Sequence, residues 1–286
     1  MRTFHLKISH IVVAGMVFMT ILACQNAEYE TVVNDEYESV TFIPATTRAG
    51  DTAFEPGDCI GVYASTNARG EVLETGNYAS NVKYAYSAGQ FLQVGQGIPI
   101  YKGDGVYALN YYAVYPYNEN QNVSFTFTIN EDQSTHANYT KNDLMMGYNS
   151  ATTIESSVRL IFRHMLSQVI VNTEHAGLEG RNYTLIFLSD INKVVANLAK
   201  LTATRATTNT KPIDIAMCPD GLHHYKAILP PQRMSQKEVV TYVRIDGRTY
   251  LARLENNISL HSGKSVVFDM YPVPDSDEYV LRLVNN

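Results

Sequence analysis

Three sets of residues in this 286-residue chain have the type and spacing to do chemistry. The first ends at Cys24. Arg2 and Lys7 give a positive start, Ile11 to Thr20 a short apolar core, and Leu22-Ala23-Cys24 a small-residue cleavage site, which together form an export signal whose terminal cysteine takes lipid. An apolar run this short falls below the roughly 20 residues a membrane-spanning helix needs, so residues 1–23 are read as a removed lipoprotein signal peptide. The mature chain then begins at Cys24, held to the outer membrane by its lipid. The second is Arg48 in Thr47-Arg48-Ala49-Gly50. An arginine among small residues suits an arginine-specific protease, because cleavage needs an extended and mobile backbone, and Ala49 would become the new N-terminus. The plainer alternative is one solvated charge in a linker. The third is the pair Cys59 and Cys218, the thiols left after the lipid cysteine, which could form a disulfide in an oxidising compartment if the fold brings them together.

Catalytic signatures are missing. The chain has no Gly-x-Ser-x-Gly elbow, no His-Glu-x-x-His helix and no phosphate-binding glycine loop, which argues against an enzyme and implies no cofactor. His223-His224 beside Asp220 make a poor metal site, since adjacent strand residues point to opposite faces and no further ligand has a recognisable spacing. Asp275, Asp277 and Glu278 lack the glycine and distal glutamate of a calcium loop and read as solvated charge. His164, among apolar neighbours, reads as structural.

Without the signal, 20 basic residues face 28 acidic ones (22 less Arg2 and Lys7), a net charge of −8 that gives nucleic acid no electrostatic footing. Twenty tyrosines, seventeen glycines and no tryptophan point to pleated, half-buried surfaces. The expected class is all-β.

Alternation with period two supports that class. Val123, Phe125, Phe127 and Ile129 alternate with Ser124, Thr126 and Thr128, a strand with one wet face. Val239–Ile245 and Thr249–Leu254 flank Asp246-Gly247, a tight-hairpin signal, and Val266–Tyr271 follows as another strand. Cys59–Ala64, Val82–Tyr86, Val106–Tyr115, Tyr183–Leu188, Ile213–Met217 and Tyr225–Leu229 read as further strands. Val158–Val171 also fits a helical face and is assigned to two strands. The polar stretch between Ile129 and Val158 is the expected domain boundary, and Thr202–Thr210 an exposed loop.

Both ends differ from the body. Residues 24–48 carry Glu28, Glu30, Asp35, Glu36 and Glu38 against Arg48, a net charge of −4, and read as a removable pro-segment. Within it Val40 and Phe42 alternate with Ser39, Thr41 and Ile43, so the segment could pair as a strand against the body. At the other end Pro272 and Pro274 interrupt a strand, Asp275-Ser276-Asp277 follow, and Tyr279, Leu281 and Leu283 alternate with Val280, Arg282 and Val284. Such a strand either completes its own sheet or adds to a neighbour's.

These ends, together with Phe54-Glu55-Pro56-Gly57-Asp58-Cys59-Ile60-Gly61-Val62-Tyr63, Tyr115-Pro116-Tyr117, Asp143-Leu144-Met145-Met146-Gly147, Phe162-Arg163-His164-Met165-Leu166-Ser167 and Leu229-Pro230-Pro231-Gln232, resemble the fimbrillin family of Bacteroidota, subunits of lipoprotein-derived type V pili. The resemblance implies two transthyretin-like antiparallel β-sandwich domains in tandem, residues 49–157 and 158–286. It also implies a cell-surface fimbria whose lipidated precursor is cut after Arg48, loses the strand holding Val40 and Phe42, and accepts a strand from another subunit. Tyr279, Leu281 and Leu283 are then the donor candidates, and other copies or related fimbrial subunits the partners. The competing readings are a permanently lipid-anchored surface protein that binds carbohydrate or another ligand through its loops, and an accessory anchor or tip protein of the same filament. The adhesion ligand is not legible.

Overall fold

A computed structural model of the chain describes residues 39–46, 53–66, 70–95, 100, 109–150, 156–207, 209 and 211–284. The strands in chain order begin with β1 (Thr41–Thr46), β2 (Cys59–Ser65), β3 (Ala79–Ser87), β4 (Gln90–Gln93), which is not among the expected strands, β5 (Asn110–Tyr115) and β6 (Ser124–Thr128). A short helix α1 (His136–Thr140) precedes β7 (Met145–Ser150) and β8 (Ser157–His164). The rest of the chain gives β9 (Ser167–Asn172), β10 (Tyr183–Ser189), β11 (Lys193–Asn197), β12 (Thr202–Arg205), β13 (Ile213–Ala216), β14 (Cys218–Pro219) and β15 (His224–Leu229). It ends with β16 (Arg233–Met234), β17 (Val239–Ile245), β18 (Arg248–Leu254), β19 (Ile258–Ser259), β20 (Ser265–Pro272) and β21 (Glu278–Leu283).

The class is all-β, as composition and alternation predict. Seven strands close on themselves in the order β1-β4-β3-β2-β5-β7-β8, so the first half is a closed barrel. The second half is a nine-stranded sheet, β13-β10-β17-β18-β21-β20-β9-β15-β14. A three-stranded sheet, β12-β11-β6, joins the halves, since β6 precedes the barrel's last strands and β11 follows β9. One core fills the barrel around Phe42, Tyr84, Phe91 and Phe162. The larger one lies against the nine-stranded sheet and includes Val169, Phe187, Val194, Ile215 and Phe268.

Local patterning explains the agreement. Val158, Leu160 and Phe162 are buried and Arg159, Ile161 and Arg163 exposed, which makes β8 a strand of period two and resolves the helix-or-strand ambiguity. In the β17–β18 hairpin Asp246 and Gly247 both take positive φ, 49° and 79°, the backbone that a two-residue turn of matching twist requires. Gly147 on β7 is needed for a different reason: a Cβ there would lie 2.9 Å from the Phe162 ring, so β7 and β8 could not approach this closely.

One expectation is corrected. Thr202–Arg205 is not loop but strand β12, paired with β11 from Val194↔Arg205 to Asn197↔Thr202. Threonine is β-branched and suits a strand even when solvated, so polarity alone misled. The polar stretch after Ile129 carries regular structure. It holds α1, capped where the Thr135 Oγ1 accepts from Asn138 N at 3.2 Å, and barrel strand β7. The change from barrel to nine-stranded sheet falls at the turn between His164 and Ser167.

Candidate functional site

β1 is the stave that closes the barrel. On one side it runs parallel to β8 through six paired residues, Thr41↔Ser157 to Thr46↔Phe162. On the other it meets β4 antiparallel at Phe42↔Phe91. Val40 N donates to Ile100 O at 2.9 Å and Thr41 N to Ser156 O at 2.8 Å, which extends the pairing upstream. Without β1, one edge of β4 and one of β8 would face each other across an open slot.

Alternation decides which side chains plug that slot. Val40 and Phe42 are 1% and 0% exposed, whereas Ile43 is 45% exposed. The Phe42 ring meets Tyr84 and Tyr111 edge-on, with centroids at 4.9 and 5.2 Å. Burial raises the phenol pKa of both tyrosines, that of Tyr111 to about 12. The pro-segment strand expected from Val40 and Phe42 is therefore an integral part of the barrel core.

The chain re-enters the described structure close to where it left. Thr46 pairs with Phe162, and the Phe54 ring packs 5.1 Å from the Phe162 ring. Phe54 also meets Phe91 and Tyr115, at 4.9 and 5.4 Å. Behind it Asp58 accepts from Glu55 N at 2.8 Å and from the Tyr115 hydroxyl at 3.0 Å, while burial raises its pKa. Phe54 thus fixes the start of the body to the barrel independently of β1. Arg48 and Ala49 lie outside the described residues, as does Cys24.

β21 completes its own sheet. It pairs parallel with β18, Leu251↔Glu278 to Leu254↔Leu281, and antiparallel with β20, Phe268↔Leu283 to Pro272↔Tyr279. Tyr279 and Leu281 are buried, but Leu283 is 40% exposed, because β18 ends opposite Leu281 and leaves the last residues with one neighbour. Arg253 donates from Nε and a terminal nitrogen to both Glu278 oxygens, at 3.0 and 3.1 Å, and this holds the Glu278 carboxyl below its usual range. Arg282 adds an ion pair to Glu255 at 3.1 Å and lies 4.6 Å from the Tyr271 ring centre. The acidic tether at Asp275 and Asp277 is a tight turn, with Asp275 at φ 56° and Val273 N donating to Glu278 O at 2.9 Å.

The remaining candidates are spread apart. Cys59 lies on β2 of the barrel and Cys218 on β14 at the edge of the nine-stranded sheet, and no disulfide joins them. The Asp220 carboxylate pairs with the Lys226 ammonium at 3.1 Å, and Asp220 meets His224 through the backbone, its N donating to His224 O at 2.7 Å. His164 Nδ1 sits 2.8 Å from Asp143 Oδ1 at the end of β8, a structural pairing. Among the described residues no group of three or more His, Cys, Asp or Glu could hold a metal, and no helix is long and apolar enough to cross a membrane. The residues that sequence reasoning missed are those lining the slot: Tyr84, Phe91, Ile100 and Tyr111. Alternation marks Tyr84 as buried, but nothing local shows that it faces Phe42.

These features define an all-β protein whose barrel is closed by a strand lying just ahead of an arginine. A family model described as fimbrillin-like matches residues 47–278, and the chain belongs to that family. No curated protein matches it. Among solved structures, a candidate cell adhesion protein of Bacteroides ovatus superposes with a TM-score of 0.69 at 17% identity, covering 87% of this chain and 96% of its own. A second such protein, from Bacteroides uniformis, gives 0.61 at 18% identity, covering 87% and 98%. A fimbrial protein of Bacteroides vulgatus gives 0.50 at 11% identity, covering 86% and 98%. At these identities the likeness is one of fold.

Proposed function

We propose that this chain is a structural subunit of a cell-surface fimbria. It is exported as a lipoprotein anchored through Cys24, cut after Arg48, and joined to its neighbours when a foreign strand takes the place of β1. The supporting observation is the position of β1: a closing stave with Val40 and Phe42 in the core, ending two residues before Arg48. Removing it would strip β4 and β8 of backbone partners and open apolar space, which a matching strand would fill. Family membership supports the fimbrial role.

A second reading concerns the position in the filament. In the tandem-sandwich scheme Tyr279, Leu281 and Leu283 are the strand that each subunit donates. Here β21 would have to leave two neighbours and its Arg253 contact, which favours a subunit that accepts a strand and keeps its own, as a terminal tip or anchor protein would.

The purified precursor treated with an arginine-specific protease separates these readings. A stalk subunit gives an N-terminus at Ala49 and concentration-dependent polymers. A terminal subunit gives the same N-terminus, stays monomeric alone and takes up a partner's strand. Clean cleavage with neither polymer nor strand uptake would overturn the proposal in favour of a permanently anchored binder.

A further inference from the structure

The two core residues of the β1 segment, Val40 and Phe42, bring only carbon to the slot, although among the described residues two sealed polar atoms face it. Tyr84 on β3 is 0% exposed, and its hydroxyl has no hydrogen-bond partner. Gln93 on β4 is cross-paired with Tyr84, and its Oε1 is likewise buried without a partner. Cross-paired residues face the same side of a sheet, so both atoms belong to the inner surface beside β1. The β1 side chain that reaches Tyr84 is Phe42, whose ring meets the phenol edge-on at 4.9 Å and 76°. A benzene ring can neither donate a hydrogen bond nor accept a full-strength one from the Tyr84 hydroxyl. Buried polar groups left this way weaken the state that contains them. The resident strand is thus a good steric plug and a poor polar one.

We propose that Tyr84, with Gln93, selects the incoming strand: the slot prefers a strand carrying a hydrogen-bonding side chain, such as Tyr or Gln, at the position Phe42 occupies. This rests on the strand-exchange reading. Its physical consequence is directional. The slot of the precursor carries two unsatisfied groups among the described residues and that of the assembled state carries fewer, so the exchange runs toward assembly without any need for the incoming strand to be more apolar than β1.

The test pairs one substitution in the protein with two in a peptide. In the uncut full-length chain, Tyr84→Phe removes the orphaned oxygen, and the urea midpoint is expected to stay level or rise. A fall would mean that the hydroxyl is already satisfied, and would overturn the inference. Protein cut after Arg48 and freed of its N-terminal segment is then offered peptides spanning Ser39–Thr46, with the native Phe42 or with Phe42→Tyr or Phe42→Gln. One of the polar peptides is expected to bind about tenfold tighter than the parent, or ~1.4 kcal/mol. That preference is expected to shrink toward parity on cut protein carrying Tyr84→Phe. Binding of all peptides with the parent best on both proteins would sink this inference alone. Failure of every peptide to bind would sink the exchange reading and this inference with it.

Discussion

Phe42 and Ile43 are neighbours on one strand with opposite fates, and the contrast gives a quantitative test of β1 as the barrel's plug. Phe42 is 0% exposed between Tyr84 and Tyr111, and Ile43 is 45% exposed on the outer face. Truncating a fully buried phenylalanine to alanine costs roughly 3–5 kcal/mol, counting lost transfer and the cavity left behind. The two edge-to-face contacts account for roughly 0.5–1.5 kcal/mol each of that total. Ile43→Ala, half in water, should stay within about 0.5–1 kcal/mol. The first assay is urea unfolding of the uncut chain, where Phe42→Ala lowers the midpoint and Ile43→Ala barely moves it. The second follows the chain nicked at Arg48, measuring by size exclusion and mass spectrometry how much N-terminal segment stays bound on dilution. At about 1.4 kcal/mol per decade, Phe42→Ala should weaken retention by roughly two to three and a half decades, with Ile43→Ala close to the parent. Equal effects of the two substitutions, or a Phe42→Ala cost below about 1 kcal/mol, would refute the claim that this strand plugs the barrel through its inner face.

Two other outcomes follow from buried polar chemistry. Burial raises the Tyr111 phenol from 10.0 to about 12, so the unfolded chain releases its proton first as pH rises. The stabilisation is therefore full below pH 10 and is lost on the way to about pH 12, and Tyr111→Phe should flatten alkaline unfolding across that window. Gln133, 0% exposed, pairs with the backbone of Ile228 in both directions, Nε2 donating to O at 3.0 Å and Oε1 accepting from N at 2.8 Å. Gln133→Ala orphans both groups and should cost roughly 2–4 kcal/mol in urea unfolding, against about 0.5 for Gln121→Ala at the surface.

What was legible in the sequence is what is local. β6 and the β17–β18 hairpin follow from period-two alternation and one Asp-Gly pair, and the inward faces of Val40 and Phe42 follow from the same rule. Partner strands are a different kind of fact. Nothing in Thr41–Thr46 shows that it runs parallel to Ser157–His164, more than a hundred residues away, and so closes a barrel. The same limit applies to Tyr279 and Leu281, whose alternation fixes their face but not whether the neighbouring strands belong to this chain or another. β12 escaped notice because its threonines carry β-propensity and loop-like polarity together.

The two terminal strands invite comparison because each is bonded on both edges and each buries two of its alternating apolar residues, yet their connections differ. β1 precedes the rest of the body, and Phe54 anchors the chain behind it through Phe91, Tyr115 and Phe162. Cutting between them therefore severs β1 from the body while leaving that anchor in place. β21 sits at the centre of nine strands and is held by the Arg253–Glu278 and Arg282–Glu255 pairs besides its backbone ladders. A filament built by repeated exchange conserves free energy only if each contact a subunit gives up is re-formed in its neighbour. The barrel slot offers an incoming β21 a parallel edge on β8 and an antiparallel edge on β4, the same two polarities it has now with β18 and β20. It also presents Arg159 on β8, two residues past the Thr41↔Ser157 pair, as Arg253 lies two residues past the Leu251↔Glu278 pair. The backbone ladders are therefore transferable, whereas the Arg253–Glu278 and Arg282–Glu255 pairs must break before β21 can leave its own sheet.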